Sequence, residues 1–215
     1  MTGIDCQWAL PMLLSIQLRI YHTMQSFDDN TKTSENGIAG VVVRTLIPHE
    51  DERGVFTEIF VKETDTGIVP SQWSIVRSMP GVFRGFHLHL RHDEYFSVVQ
   101  GRALVGLYDL RPGSPTFRKS ALLDLPANPP RSLIFPTGLL HGWYFPEATI
   151  HAQAVSESYI NYGEHDNFGC RYDDPALRID WPEEPVLISD RALNFPSLGD
   201  LESQLKDAGL WDQLG

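Results

Sequence analysis

"GVFRGFHLHLRHDEYFSVVQG", residues 81–101, decides the fold. Aromatic and β-branched residues mixed with polar ones fit a strand, whose pleat sends every second side chain to one face. His87 and His89 are two apart and share a face; Glu94 opens the next strand, and Gly101 closes it with a turn. A third imidazole comes from "PTGLLHG" (136–142), where His141 follows a Pro-x-Gly turn at the head of another strand. Three imidazoles and a carboxylate suit a borderline divalent ion and leave positions open for substrate or water. The residues therefore predict a metal set of His87, His89, Glu94 and His141, holding one divalent transition metal (Zn, Fe, Mn or Ni). The same histidines without a metal would work as acid–base or hydrogen-bonding groups. His92 and Asp93, in the intervening turn, are expected to be solvated.

Short strands run outward from this stretch on both sides. "VVVRTLI" (41–47), "VFTEIFV" (55–61) and "QWSIVRS" (72–78) precede it. "ALVGLYDL", "SALLDL", "SLIFP", "HGWYF" and "TIHAQAVS" follow it, with Gly and Pro punctuation between. Such spacing predicts an all-β barrel or sandwich and leaves no room for βαβ units. A helix is predicted only at the end, with Ser197 as N-cap and Leu198, Leu201, Leu205 and Ala208 at helical spacing.

The 215 residues allow one domain with a full core. The net charge of −11 argues against nucleic-acid or membrane-surface binding, because both need a basic face. It leaves room for one anionic ligand on a local arginine cluster. Cys6 and Cys170 form no CxxC pair, which predicts a reducing, cytoplasmic setting without a disulfide framework. The apolar run "WALPMLLSIQLRIY" (8–21) is interrupted by Pro11, Gln17 and Arg19 and is too short to span a bilayer. Residues 1–37 therefore read as a flexible extension, with Met24 as the natural start. Residues 38–198 read as the barrel, and 199–215 as a helix packing on it.

The two histidine segments match the metal-binding motifs of the cupin family, small jelly-roll β-barrels. The second motif lacks its flanking Gly and Asn, with Pro130 and Phe145 at those places. From Gly40 to Leu198 the chain further resembles the dTDP-4-dehydrorhamnose 3,5-epimerase family. "DERGVFTEIF" (51–60), "QWSIVRSMPGVFRGFHLH" (72–89), "DLRPGSPTF" (109–117), "FPTGLLHGW" (135–143), "YDDPALRIDWP" (172–182) and "FPSL" (195–198) carry the likeness in order. The resemblance implies an isomerase or epimerase that enolises a nucleotide-linked 4-keto-6-deoxy sugar, and a homodimer. It implies substrate contacts from Arg53, Phe56, Glu58, Gln72, Ser74, Arg84 and Tyr159, and catalysis by His87, His141 and Arg84.

The family's proton-donating tyrosine falls at Gln153 and its histidine-orienting aspartate at Ala192, or at Asp190 after a register slip. Its lysine falls at Glu94 and its glutamine at His89. With the proton-transfer set eroded and the metal set complete, the sequence predicts metal-assisted enolisation, the base being metal-bound hydroxide, Glu157 or Tyr159. Rival readings are a metal-dependent oxygenase or lyase and a silent sugar-binding cupin. Trp143 is expected in the core.

Overall fold

The computed structural model describes residues 37–65 and 67–214, so the expected extension and its start at Met24 lie outside the described residues. Period-two alternation is cleanest in β4 (Gln72–Ser78), where Gln72, Ser74 and Val76 turn inward while Trp73, Ile75 and Arg77 are exposed. The other strands are β1 (Val42–Thr45), β2 (Pro48–Asp51), β3 (Gly54–Thr57), β5 (Val82–Leu88), β6 (Glu94–Gln100) and β7 (Arg102–Asp109). They continue with β8 (Ser120–Pro126), β9 (Arg131–Phe135), β10 (Leu139–Phe145), β11 (Thr149–Val155) and β12 (Phe168–Gly169). One five-stranded sheet has the order β1-β9-β6-β11-β4 and a second β12-β5-β10-β7-β8, each ladder antiparallel.

Inward side chains of both sheets make one core. Val43, Phe96 and Leu133 from the first sheet meet Val105, Leu125, Trp143 and Phe145 from the second. Each fully buried side chain of this size contributes about 1.5–3 kcal/mol. The all-β jelly-roll expectation holds, and Trp143 lies in the core as read from the sequence. The two sheets remain separate, a sandwich with β1 and β4 at the edges of one sheet and β12 and β8 at those of the other, rather than a closed barrel.

The outer face of the second sheet is also apolar. Phe83, Phe86, Tyr108 and Leu140 pack against Leu198, Leu201 and Leu205 of a helix, α3 (Leu198–Asp207), and against Leu214. Ser197 caps that helix, its Oγ accepting the Asp200 N–H at 3.1 Å. Two single-turn helices, α1 (Tyr159–Tyr162) and α2 (Asp190–Leu193), were not predicted, since four residues are too few to show a helical period. The strand expected over 55–61 ends at Thr57 and pairs only with β2, forming a hairpin around the Asp51–Gly54 turn. Among the described residues no helix is long and apolar enough to cross a membrane.

Candidate active site

The site sits at the open edge between the sheets, and a bulge in β5 builds it. Opposite β10, His87 pairs with His141 and Arg84 with Trp143, so two residues on β5, Gly85 and Phe86, face one on β10, Gly142. That extra residue lets Arg84 and His87, three apart, share a face. Gly85 makes the bulge possible, with φ of +128° and the Gly142 backbone packed against it. The first sheet closes the opposite side. Gln153 of β11 is in register with Ser74 of β4 and Phe96 of β6.

Glu94, 1% exposed, lies at the centre. Its Oε1 is 3.2 Å from His141 Nε2, 3.5 Å from His89 Nε2 and 3.6 Å from His92 Nε2. Its Oε2 accepts the Gln153 side-chain N–H at 3.0 Å. His89 Nδ1 lies 2.5 Å from the Asp166 carbonyl and His141 Nδ1 3.1 Å from that of Leu139. A carbonyl only accepts, so both rings carry their proton on Nδ1 when neutral and turn Nε2 toward Glu94. His141 also stacks on Trp143, with centroids 4.9 Å apart.

His87 differs from its neighbours. It is half-buried and has no hydrogen-bond partner among the described residues, only ring contacts with Phe195, edge-on at 5.7 Å, and with His89 and His141, each at 6.2 Å. Burial, then the charges of His141 and His89, holds its pKa down to about 3, leaving it neutral with a free lone pair. Burial likewise lowers His89 to about 4, against the pull of Glu94. His92 goes the other way: burial opposes its charge, but Asp166 and Glu94 raise it to about 9. Glu94 pays for its burial through the surrounding imidazoles, which hold it well below the usual carboxylate range.

The expectation that His92 is solvated is therefore corrected. It is 2% exposed, stacks on Tyr162 at 4.4 Å, and lies 3.3 Å from the Asp166 carboxylate. Asp93 is partly buried, and its carboxylate accepts the Thr137 N–H. His92 and Asp166 are the polar members of the site that the sequence reading missed. The 87-89-92 histidine spacing was the available signal, but a turn position hid its inward direction. Asp166 had no signal, being 72 residues from Glu94.

Gln72 also belongs to this edge, its side chain accepting the Tyr159 N–H at 3.0 Å. Glu157 is held by Arg91 in two hydrogen bonds, at 3.0 and 2.5 Å, which takes it out of the proposed base role. Ala192 is buried, while Asp190 is exposed on α2, and no hydrogen bond or ion pair joins it to His87 among the described residues. Arg53 pairs with Asp51 on the exposed hairpin, and no contact joins Arg53, Phe56 or Glu58 to the histidines among the described residues.

His151 is a further buried imidazole, 0% exposed between Phe96 and Phe145, with neither nitrogen hydrogen-bonded. Burial lowers its pKa to about 4 from an unperturbed 6.5. The unfolded chain thus binds a proton that the native one refuses between those values. Its contribution to stability is complete above the unfolded pKa and falls away as pH drops through the window. The loss is about 1.4 kcal/mol per pH unit. His151→Leu should flatten the acid limb of urea stability by about one proton; an unchanged slope would contradict this assignment.

A jelly-roll sandwich with histidines of β5 and β10 facing its open edge defines a cupin-type protein. The chain belongs to the dTDP-4-dehydrorhamnose 3,5-epimerase family, whose model matches residues 35–200. The spore coat polysaccharide biosynthesis protein SpsL of Bacillus subtilis is 30% identical over 151 residues, 68% of this chain and 98% of that protein. The Legionella pneumophila epimerase RmlC, solved with dTDP-4-keto-L-rhamnose, is 30% identical with a TM-score of 0.71, covering 79% of this chain and 93% of that one. ChmJ, a 3'-monoepimerase of Streptomyces bikiniensis solved with dTDP-quinovose, is 25% identical with a TM-score of 0.71, covering 81% and 89%.

The family corrects the expectation of a divalent metal, because its epimerases work without a metal cofactor. His87, His89 and His141 bring nitrogens within 4.8 Å of one another, and so do the donor atoms of His89, His92 and Asp166. Glu94 lies among His141, His89 and His92, is the counter-ion of His92 and accepts from Gln153.

Proposed function

We propose that the protein is an epimerase of a dTDP-linked 4-keto-6-deoxy sugar, inverting a carbon next to the ketone through an enolate. The observation that carries this reading is His87: a neutral, unpartnered imidazole beside Arg84, in a chain of this family. His87 takes the proton from the carbon next to the ketone, and the bond's electron pair moves onto the ketone oxygen. The Arg84 guanidinium, exposed on the same face, supplies positive charge for the diphosphate and for that oxygen. Gln72 and Ser74 line the opposite wall, with Tyr159 beside Gln72. Gln153 is no acid, so solvent delivers the proton to the other face of the enolate; the oxygen's electron pair moves back, the ketone re-forms and the carbon is inverted.

Incubation with dTDP-4-keto-6-deoxyglucose in deuterated water tests this reading. Deuterium should enter at C3 or C5, and at fewer carbons than in a double epimerase. Tight binding of the nucleotide sugar without exchange at any carbon would instead make the protein a sugar-binding member of the family.

The same reading includes a homodimer. Among the described residues the β2–β3 hairpin pairs with no other strand, and Val55 and Phe56 are 62% and 65% exposed. A second copy that covers the hairpin would bring Arg53, Phe56 and Glu58 to a neighbouring site, which supports their role in substrate binding. Light scattering at micromolar concentration should give twice the chain mass, and Phe56→Asp should lower it; a monomeric wild type would rule this out. Cys170 is a buried free thiol, which fits a reducing, cytoplasmic setting.

A further inference from the structure

We infer that the protein carries a second binding site, for a phosphate monoester of a small molecule, between the outer face of the second sheet and the start of α3. It stands independently of the epimerase reading. Tyr108, Arg118, Arg178 and Glu202 line a pocket of about 310 Å³ there, with Ala176 and Leu198 as its apolar wall. In register, Tyr108 pairs with Leu140 and Leu107 with His141. Tyr108 and Leu140 belong to the outer cluster and Leu107 to the inner core. The pocket and His141 therefore lie on opposite faces of the sheet.

The donors of this pocket lack an acceptor. Tyr108 is 3% exposed, yet its hydroxyl makes no hydrogen bond among the described residues. A buried phenol ordinarily has a partner. The Arg178 guanidinium, at the end of a 3₁₀ turn, also makes no hydrogen bond or ion pair among the described residues. Arg118 uses only Nη2 on the Glu202 carboxylate, at 3.0 and 2.9 Å, which leaves Nε and Nη1 to donate elsewhere. Gly199, on the same lining, adds an N–H from the first turn of the ten-residue α3. Glu202 is the one acid of the lining, and Arg118 with Lys206, 3.6 Å away, offsets its charge. Arg118 and Arg178 are also the two non-glycine residues with positive φ, +63° and +53°. Both stand where glycine would be less strained.

A carboxylate has two oxygens, which one guanidinium fork can take. Two guanidiniums, a hydroxyl and an amide instead match the three terminal oxygens of a phosphate monoester. The volume is that of a small-molecule pocket rather than of a single ion, so the ester's organic body lies along Ala176 and Leu198.

Calorimetric titration of the full chain with glucose 1-phosphate, with and without saturating dTDP, tests the site. Wild type should bind one equivalent per chain in both conditions, and its melting temperature should rise with ligand concentration. Arg178→Gly should weaken binding about tenfold or more while raising the Tm of the unliganded protein by about 2–4 °C, because glycine relieves the positive φ. Tyr108→Phe removes only the unpartnered hydroxyl and should weaken binding about three- to tenfold with Tm unchanged. Arg178→Lys keeps the charge and should recover part of the affinity. Inorganic phosphate should bind about tenfold more weakly than the ester; equal affinity would overturn the assignment to a monoester. No binding by wild type, or equal binding by wild type, Arg178→Gly and Tyr108→Phe, would overturn the site. Binding that dTDP abolishes would place the ester among the sugar-nucleotide contacts and overturn it as well.

Discussion

His87→Gln should reduce deuterium wash-in by roughly 10²- to 10⁴-fold, the usual contribution of a positioned base. Glutamine matches the polarity and approximate length of histidine but cannot take a proton. The melting temperature should hardly move, because His87 has no hydrogen bond to lose among the described residues and meets Phe195 only edge-on. The low pKa, about 3, has a readable consequence. The imidazole is already neutral at pH 7, so its protonation should not reduce exchange as pH falls through the ordinary histidine range. The enolate's own negative charge favours the protonated ring as the carbon–hydrogen bond breaks. A variant that exchanges at the wild-type rate would move the base elsewhere, and Glu157, tied to Arg91, is badly placed to take over.

Gly85→Ala should cost the fold about 3 kcal/mol, the upper end of ordinary overpacking. An added Cβ would stand 2.6 Å from Gly142 Cα and 2.8 Å from the His141 carbonyl oxygen, both backbone atoms that cannot swing aside. The backbone there also has φ of +128°, outside the range of ordinary L-residues. Urea denaturation with intrinsic fluorescence measures the loss. Gly199→Ala is the control, since nothing lies within 4 Å of the Cβ it would add on α3. Its stability should stay level or rise slightly. Equal losses in both variants would show that the bulge is not the sensitive point.

Much of this was legible in the sequence because strand geometry is periodic. The alternation in "QWSIVRS" gave β4 and its inward Gln72 and Ser74, and the Pro-x-Gly turn placed His141 at the head of β10. The HxH spacing and the Pro-x-Gly segment together pointed to His87, His89 and His141, whose nitrogens lie within 4.8 Å of one another. It could not say what they gather around. A metal and a buried carboxylate both attract imidazoles, and the spacing along the chain is the same for either. Asp166 and His92 escaped for a related reason. Their meeting depends on a turn after β11 folding back over the β5–β6 loop, a long-range event without local pattern. The hairpin was half seen: "DERG" marked its turn, but "PHED" carries no strand propensity to announce β2.

The second sheet's apolar outer face is closed by residues 170–214, with Tyr172 and Trp181 over Phe83, and this segment follows every strand it covers. During synthesis β5, β7 and β10 therefore leave the ribosome with Phe83, Phe86, Tyr108 and Leu140 uncovered on that side. Until this segment emerges, the nascent chain presents these side chains to whatever is near, and holdase chaperones bind such surfaces. A ribosome stall within the final segment would thus leave a sandwich with its inner core formed and one greasy wall, a substrate for quality control rather than an enzyme.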